Sequence, residues 1–212
     1  MSRKIGMYAS LVNVVAVTGF ALAMLLGSNF GSYITSIFIA FSFIPMISTF
    51  CSYAKTEAKS AGYTAIGFAV IYATINSLVY YTQITTVRAG NLSEQAVHIL
   101  DFQQFGLFFN YDMLGYAMMS LATFFAGLTI DVKSKVDKYL KALLLIHGVF
   151  FISCFIMPML GLFTQNSEDT TWIGTAILIF WCIYFIPVGL LSYFHFSNTK
   201  IEKQNNYENL EY

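Results

Sequence analysis

Two segments of the sequence have polar side chains at helical spacing, and these side chains could bind a small solute. Residues three or four apart lie on one face of an α-helix. The polar members of these faces are Asn76, Tyr80 and Gln83 in residues 62–83, and Asp112, Tyr116, Ser120 and Thr123 in residues 107–130. Amide and phenol groups can hydrogen-bond a polar solute, and a carboxylate can balance a positive charge. The residues that we expect to bind such a solute are Asp112, Asn76, Tyr80, Tyr116 and the neighbouring Asn110.

The same faces also contain small residues, which gives them a second explanation. These small residues are Gly62, Ala65, Ala69, Ala73 and Gly127. In lipid, small residues let two helix backbones approach closely, and polar side chains hydrogen-bond across the contact. The two faces could therefore serve helix packing alone, within the chain or against a partner helix.

Asp112 has two possible roles. An ionisable residue inside a membrane span is costly and by default suggests a functional site. The uncharged run from Met113 to Ile130, however, is nearly long enough to cross the hydrocarbon layer without Asp112. Asp112 could then be the N-cap of that helix, where a carboxylate accepts backbone N–H bonds. The sequence leaves both interpretations open.

The remaining titratable residues do not form a recognisable reactive site. His147 and Asn13 fall at similar depths inside predicted spans, so we expect both to be structural, with His147 bonded to an asparagine or a carbonyl group. His98 and His195 stand alone, without a ligand-like companion. The sequence has no metal-binding, nucleophile or phosphate-binding motif, so it predicts no metal site and no cofactor. An enzyme is therefore less favoured than a binding protein.

The composition indicates an integral membrane protein. Of the 212 residues, 57% are apolar and only 10% are charged, and the mean hydropathy is +0.65. A soluble domain has about 25% charged residues. Six apolar runs are long enough to cross a bilayer: residues 5–27, 33–51, 62–83, 107–130, 140–163 and 172–194. The sequence therefore predicts an all-α bundle of six transmembrane helices, with kinks at Pro45, Pro158 and Pro187.

The basic residues predict how this bundle is oriented. Of the eleven Lys and Arg residues, only Arg88 lies in a connector that an odd number of predicted spans separates from the other ten, so it falls on the opposite side of the membrane. The positive-inside rule then places both termini in the cytoplasm. We expect the cytoplasmic membrane of a prokaryote as the location. Residues 1–197 form one domain in this prediction, and residues 198–212 form a flexible cytoplasmic tail.

The first span has an alternative interpretation as a signal peptide. Arg3 and Lys4 precede an apolar run, and Ala21 to Ala23 resemble a cleavage site. The apolar run continues through Met24 to Leu26, where a mature protein would normally begin with more polar residues. We therefore expect the first helix to be retained.

The connector between the third and fourth spans is long enough to form a structure of its own. Residues 84–106 contain a candidate helix cap, Asn91 or Ser93, followed by alternating apolar and polar residues. This pattern predicts a short amphipathic helix on the outer surface. It could cover an outward-facing cavity, or it could be a plain interfacial connector.

Three classes of function follow from these patterns. The first is binding or transport of a small uncharged or weakly cationic solute through an outward-facing polar cavity near Asp112. The second is a non-enzymatic accessory, immunity or assembly protein that acts through helix contacts with a homo-oligomer or a partner membrane protein. The third is a lipid-modifying enzyme. The expected surroundings are the lipid bilayer, and no basic stripe supports nucleic-acid binding.

Overall fold

The computed structural model describes the backbone of residues 1–161 and 168–198, and the side chains of residues 1–161 and 174–198. This part of the chain is helical and contains no β-strand. Its helices are α1 (Ser2–Leu25), α2 (Asn29–Tyr53), α3 (Lys59–Thr82), α4 (Glu94–Leu100), α5 (Leu107–Thr129), α6 (Lys135–His147), α7 (Phe150–Met159) and α8 (Glu168–Asn198). The predicted all-α fold is confirmed for these residues. The predicted tail lies outside them, except for Asn198.

Five helical segments are long and apolar enough to cross a membrane. They are Ser2–Leu25, Asn29–Tyr53, Thr56–Val87, Lys135–Met159 and Gly174–Asn198. The other predicted span, residues 107–130, forms the 23-residue helix α5, which is not among the five. Its hydropathy is lowered by polar residues, Asn110 and Asp112 among them. The structure thus supports an integral membrane protein, and the count of six spans stays a prediction.

The long helices pack side by side in a ring. α1 contacts α2 and α8, α3 contacts α2 and α5, and α5 contacts α6 and α7, while α6 also contacts α8. Large buried side chains fill the centre, among them Phe43, Tyr72, Met119 and Phe185. This ring places the polar face of α3 directly against the polar face of α5.

Contacts between helix ends gather the basic segments at one end of the bundle. Arg3, at the start of α1, donates to the carbonyl of Ser197 at the end of α8. Lys55, between α2 and α3, pairs with Asp131, which follows α5, at 3.1 Å. We call this the inner end, and we call the end with Arg88 the outer end, after the predicted topology. Which side of the membrane each end faces stays a prediction.

The predicted span at residues 140–163 is interrupted rather than continuous. α6 and α7 are separated at Gly148 and Val149. A Cβ atom at Gly148 would lie 2.9 Å from a ring carbon of Phe124 on α5. Glycine favours a helix less than other residues except proline, and its missing side chain admits the ring. The interruption therefore falls at this glycine and not at Pro158.

The connector between α3 and α5 contains the predicted short helix. α3 continues as a π-helical turn over Gln83–Val87, and α4 follows. Ser93 Oγ accepts a hydrogen bond from the N–H of Ala96, so Ser93 is the N-cap of α4. A 3₁₀ turn at Phe102–Gln104 then leads into α5. The predicted short helix is present, and of the two candidate caps, Asn91 and Ser93, Ser93 is the one that caps it.

Candidate functional site

The contact between α3 and α5 joins the two polar faces. Asn76 Nδ2 donates to Asp112 Oδ1 at 2.9 Å, and Tyr80 OH donates to Asp112 Oδ2 at 3.0 Å. All three side chains are buried, and Asp112 is only 3% exposed. Each carboxyl oxygen thus accepts one of these hydrogen bonds, and both donors are neutral. We call Asn76, Tyr80, Asp112 and Tyr116 the polar cluster.

Tyr116 extends the polar cluster toward the centre of the bundle. Its hydroxyl lies 3.5 Å from the hydroxyl of Tyr80. Its ring packs against Tyr72, with centroids 6.0 Å apart, and edge-on against Trp181 at 5.7 Å. The cluster therefore has hydrogen-bonding groups on its outer side and an aromatic wall on its inner side.

Asp112 is not the N-cap of its helix. α5 begins at Leu107, and its N-cap is Gly106, which makes no side-chain capping bond. The first turn is anchored by Phe109, whose ring contacts Phe102 at 5.2 Å and Phe105 at 4.9 Å. These aromatic contacts begin the helix before Asp112, whose carboxyl group then faces α3. The cap interpretation of Asp112 is therefore wrong.

A glycine on α5 allows the polar cluster to form. A Cβ atom at Gly115 would lie 1.8 Å from Asn76 Oδ1, far closer than any allowed contact. Asn76 Oδ1 is buried and has no hydrogen-bond partner. Because Gly115 has no side chain, the amide of Asn76 can turn its nitrogen toward Asp112 and keep its oxygen against the backbone of α5. The sequence pattern did not single out Gly115.

An aromatic layer covers the outer side of the polar cluster. The ring of Tyr80 stacks on Tyr33 of α2, with centroids 5.6 Å apart, and packs against Phe102 at 6.1 Å. Tyr33 and Phe102 also meet each other at 6.0 Å. We call Tyr33, Tyr80 and Phe102 the aromatic layer. It separates Asp112 from the outer end of the bundle.

A cavity of about 290 Å³ lies at the outer end, beyond the aromatic layer. Its lining residues are Asn29, Phe30, Tyr33, Gln83, Ile84, Val87, Arg88, Asp101 and Gln103. No member of the polar cluster is among them. This cavity therefore does not reach Asp112, because the ring of Tyr80 lies between Tyr33 on the cavity wall and the carboxyl group of Asp112. A solute site near Asp112 stays a prediction.

The connector is fastened over this cavity by hydrogen bonds. Gln83 donates from Nε2 to the carbonyl of Leu100 at 2.7 Å and accepts at Oε1 from the N–H of Phe102 at 3.0 Å. Gln103 Nε2 donates to Tyr33 OH at 3.0 Å. The amide of Gln83 is thus used to hold the connector against α3. These bonds fit both a lid and a plain interfacial connector, so the two alternatives stay open.

Asn110 does not join the polar cluster. Its side chain is exposed, whereas Asp112, two residues later, is buried. Neighbouring positions on a helix point about 100° apart, so residues two apart face in very different directions. Of the five residues expected at the site, the structure therefore brings together Asp112, Asn76, Tyr80 and Tyr116.

The two residues predicted to be structural are buried and hydrogen-bonded. Asn13 donates to Ser42 Oγ at 3.0 Å, which ties α1 to α2. His147 Nε2 accepts from the indole N–H of Trp181 at 3.1 Å, so its Nδ1 bears the proton and donates to Thr123 Oγ1 at 2.8 Å. The expectation of an asparagine or carbonyl partner for His147 is wrong, because a threonine and a tryptophan satisfy both of its nitrogens.

The structure also gives His195 a partner that sequence reasoning missed. His195 Nδ1 lies 2.6 Å from Asp137 Oδ1, which joins the end of α8 to the first turn of α6. Asp137 Oδ2 accepts from Ser134 Oγ at 2.8 Å and from the N–H of Lys133 at 3.0 Å. The signal for this pair was available, because the predicted topology puts both residues at the inner end.

Arg88 and Phe30 are a second pair that the sequence did not reveal. The guanidinium carbon of Arg88 lies 4.6 Å from the ring centroid of Phe30, within cation–π distance. The short connector between α1 and α2 and the end of α3 meet here. The prediction that Arg88 lies apart from the other basic residues is consistent with this position.

Among the described side chains, no group of three His, Cys, Asp or Glu is arranged to hold a metal ion. The polar cluster is instead a neutral hydrogen-bonding environment around one carboxyl group. Comparison of the chain with protein families, with curated proteins and with solved structures finds no match.

Proposed function

We propose that this chain is a multi-pass membrane protein that binds a small uncharged or weakly cationic solute from the outer side of the membrane. The proposed topology has six spans, with α5 as the fourth, and both termini in the cytoplasm of a prokaryotic cell. The basic residues support it, because every Lys and Arg except Arg88 belongs to the segments assigned to the inner side.

The observation behind the binding role is the environment of Asp112. Its carboxyl group is buried, its hydrogen-bond donors Asn76 and Tyr80 are neutral, and no ion pair involves it in the described part of the chain. A charged group in a membrane span without a countercharge is costly, and such groups mark solute and ion pathways. A solute with a positive charge or with hydrogen-bond donors would supply the missing partner.

The outer cavity offers the solute a route toward Asp112. Tyr33 lines the cavity and stacks on Tyr80, and the Tyr80 hydroxyl holds the carboxyl group of Asp112. Rotation of the Tyr80 ring would break one hydrogen bond to Asp112 and connect the polar cluster with the cavity. In this proposal the cavity receives the solute, and the aromatic layer is the gate.

Binding is better supported than transport. The polar cluster is packed shut on its outer side by the aromatic layer and on its inner side by Tyr72 and Trp181. A binding role needs only the outer gate to move. A transport role would also require the inner aromatic wall to open.

The experiment is a thermal-shift measurement on the purified protein with a panel of small amines, amides and polyols. Asp112→Asn keeps the size of the side chain and removes its charge. At least one solute is expected to raise the melting temperature of the wild type and not that of Asp112→Asn. The matched control is Asp137→Asn, which changes a buried carboxyl group at the inner end. The solute should still raise the melting temperature of this variant. The absence of any stabilising solute, or an equal shift in Asp112→Asn, would contradict the proposal.

A second candidate function is that of an accessory protein that contacts a partner helix or a second copy of the chain. The observation that favours it is the poor burial of the α6–α7 segment. Only 11% of the apolar window in Lys135–Met159 is buried, compared with 61% in Asn29–Tyr53. Native mass spectrometry in mild detergent distinguishes the two functions. A stoichiometric protein partner without any stabilising solute would favour the accessory role.

A further inference from the structure

The outer cavity contains one positive and one negative side chain that do not pair with each other. Arg88 and Asp101 both line it. Within the described chain, neither belongs to an ion pair, although Lys55, Lys133 and His195 all do. Two opposite charges on the wall of one small cavity would normally attract each other. Their separation leaves both available to a ligand that has both charges.

Arg88 is arranged to receive an anion. Its guanidinium carbon lies 4.6 Å from the centroid of the Phe30 ring, within cation–π distance. A guanidinium group beside an aromatic ring keeps N–H donors with which it can bind an anion. A carboxylate or phosphate binds to this edge through two parallel hydrogen bonds.

Asp101 is held in place by its own backbone turn. Its Oδ1 accepts the N–H of Gln103 at 2.9 Å, so the carboxylate caps the 3₁₀ turn that begins at Phe102. This bond fixes the position of the side chain, and Oδ2 can accept a hydrogen bond from an ammonium group. Arg88 and Asp101 therefore present a cation and a hydrogen-bonded anion to the same space.

The other polar groups of the cavity limit what it can recognise. Gln83 uses both ends of its amide to hold the connector, and Gln103 Nε2 donates to Tyr33 OH. Asn29 also lines the cavity but is neutral, so Arg88 and Asp101 are the charged members of the lining. A volume of about 290 Å³ is at the small end of the range for ligand sites, about 300–1,000 Å³. The ligand must be small.

We infer that the outer cavity binds a small zwitterionic group, with its carboxylate or phosphate on Arg88 and its ammonium on Asp101. This inference deepens the proposed function, on which it rests for the approach of the solute from the outer side. Two kinds of molecule have this pair of charges: a free amino acid, and the headgroup of a zwitterionic lipid in the surrounding bilayer.

The first arm of the experiment uses soluble probes. Glycine, β-alanine and γ-aminobutyrate have the two charges at increasing separation, and their amides and N-acetyl derivatives each lack one charge. Calorimetry on the purified protein should show one zwitterion binding at least about tenfold more tightly than both of its singly charged derivatives, which is a difference of about 1.4 kcal/mol. The second arm measures, by native mass spectrometry, whether phosphatidylethanolamine is retained in preference to phosphatidylglycerol. Selective binding in either arm supports the inference and identifies the source.

Variants connect the binding to the cavity. Arg88→Gln and Asp101→Asn should each weaken binding of the selected zwitterion by at least about tenfold, and Arg88→Lys should have an intermediate effect because it keeps the charge and loses the planar edge. Lys138→Gln and Glu57→Gln remove exposed charges far from the cavity and should bind normally. Equal binding of zwitterions and singly charged derivatives, unchanged binding in the cavity variants, or no selective binding in either arm overturns the inference.

The outcome separates this inference from the proposed function. If amines or polyols bind in an Asp112-dependent manner and no zwitterion is selected, the inference fails and the proposed function stands. If no probe of any class binds, both fail.

Discussion

Two buried carboxyl groups of this chain are held in opposite ways. Asp137, at the inner end, receives hydrogen bonds from His195, from the Ser134 hydroxyl and from a backbone N–H, and it lies in the first turn of α6. Asp112, in the outer half of the α3–α5 contact, receives one bond each from Asn76 and Tyr80. Their exposure is nearly equal, at 7% and 3%.

The difference between the two environments separates a structural acid from a candidate functional one. The first turn of a helix has a partial positive charge, and a histidine can add a full one, so the negative charge of Asp137 is compensated within the fold. Asp112 has neutral donors and no helix N-terminus beside it. Burial therefore does not distinguish the two carboxyl groups, whereas the charge of their partners does.

Asp137→Ala should give the largest loss of stability. It removes the partner of His195 and the acceptor for Ser134, so we expect the free energy of unfolding to fall by about 2–4 kcal/mol. The measurement is the unfolding midpoint in detergent with increasing denaturant. Asp131→Ala, which removes a partly exposed ion-pair partner of Lys55, is the control and should change stability by less than about 1 kcal/mol. Similar losses of stability in the two variants would show that the buried pair of Asp137 and His195 stabilises the protein no more than the partly exposed pair of Asp131 and Lys55.

Gly115→Ala tests the close contact that positions Asn76 beside Asp112. The added Cβ atom cannot fit beside Asn76 Oδ1, so α3 and α5 must separate, at a cost of about 1–3 kcal/mol. Gly67→Ala on the open face of α3 is the matched control, because nothing lies within 4 Å of its Cβ position. That change should be neutral or stabilising by up to about 1 kcal/mol. The same unfolding measurement compares them, and equal effects would show that the contact is not tight.

Tyr80→Phe removes one of the two donors to Asp112 and leaves the ring in the aromatic layer. We expect a loss of about 1–2 kcal/mol, since a buried carboxyl oxygen loses its hydrogen bond. Tyr81→Phe changes the adjacent residue, whose side chain is 63% exposed, and should have no measurable effect. The difference in melting temperature between the two variants measures the bond. No difference between them would mean that the Tyr80 hydroxyl does not hold Asp112.

Asp112→Asn should have the smallest effect on stability. Whether it raises or lowers the free energy of unfolding tests the difference between Asp112 and Asp137. Asparagine keeps an oxygen acceptor and removes a buried ionisable group that has no countercharge, so we expect a change between zero and a gain of about 1 kcal/mol. Asp137→Asn should instead destabilise the protein, because His195 then loses its charged partner. Thermal unfolding of both variants shows whether each substitution stabilises or destabilises the protein. A destabilising Asp112→Asn as large as Asp137→Asn would make Asp112 a structural residue.

Several features of the site were predictable from local sequence patterns. Asn76, Tyr80 and Asp112 follow helical spacing, and the structure places them in one hydrogen-bonded cluster. The short helix with an Asn91 or Ser93 cap was also predictable, because such a residue before an amphipathic run is a local signal; the structure selects Ser93. The spacing within each helix and the cap depend on residues within about one helix turn of each other, whereas the meeting of α3 and α5 in one cluster depends on the tertiary structure.

The sequence went wrong on the cap interpretation of Asp112 and on contacts between distant segments. The predicted span starts at residue 107, as α5 does, but the uncharged run after Asp112 also allowed Asp112 to be a cap, and the structure excludes that because the helix begins at Leu107. His195 and Asp137 are far apart in the sequence, so no local spacing could pair them. The same holds for Arg88 and Phe30, which meet across two connectors.

The sequence by itself indicated that this protein lies in a lipid bilayer, and it determined the all-helical fold and the helix faces that contain the polar residues. Hydropathy and helical period are local properties of the sequence. Only the tertiary structure decided that Asp112 is enclosed by neutral donors and that the outer cavity lies beyond the aromatic layer. These facts depend on how closely α3 and α5 approach at Gly115 and on where the connector packs. Such distances between helices are set by the three-dimensional packing of side chains that no local pattern specifies.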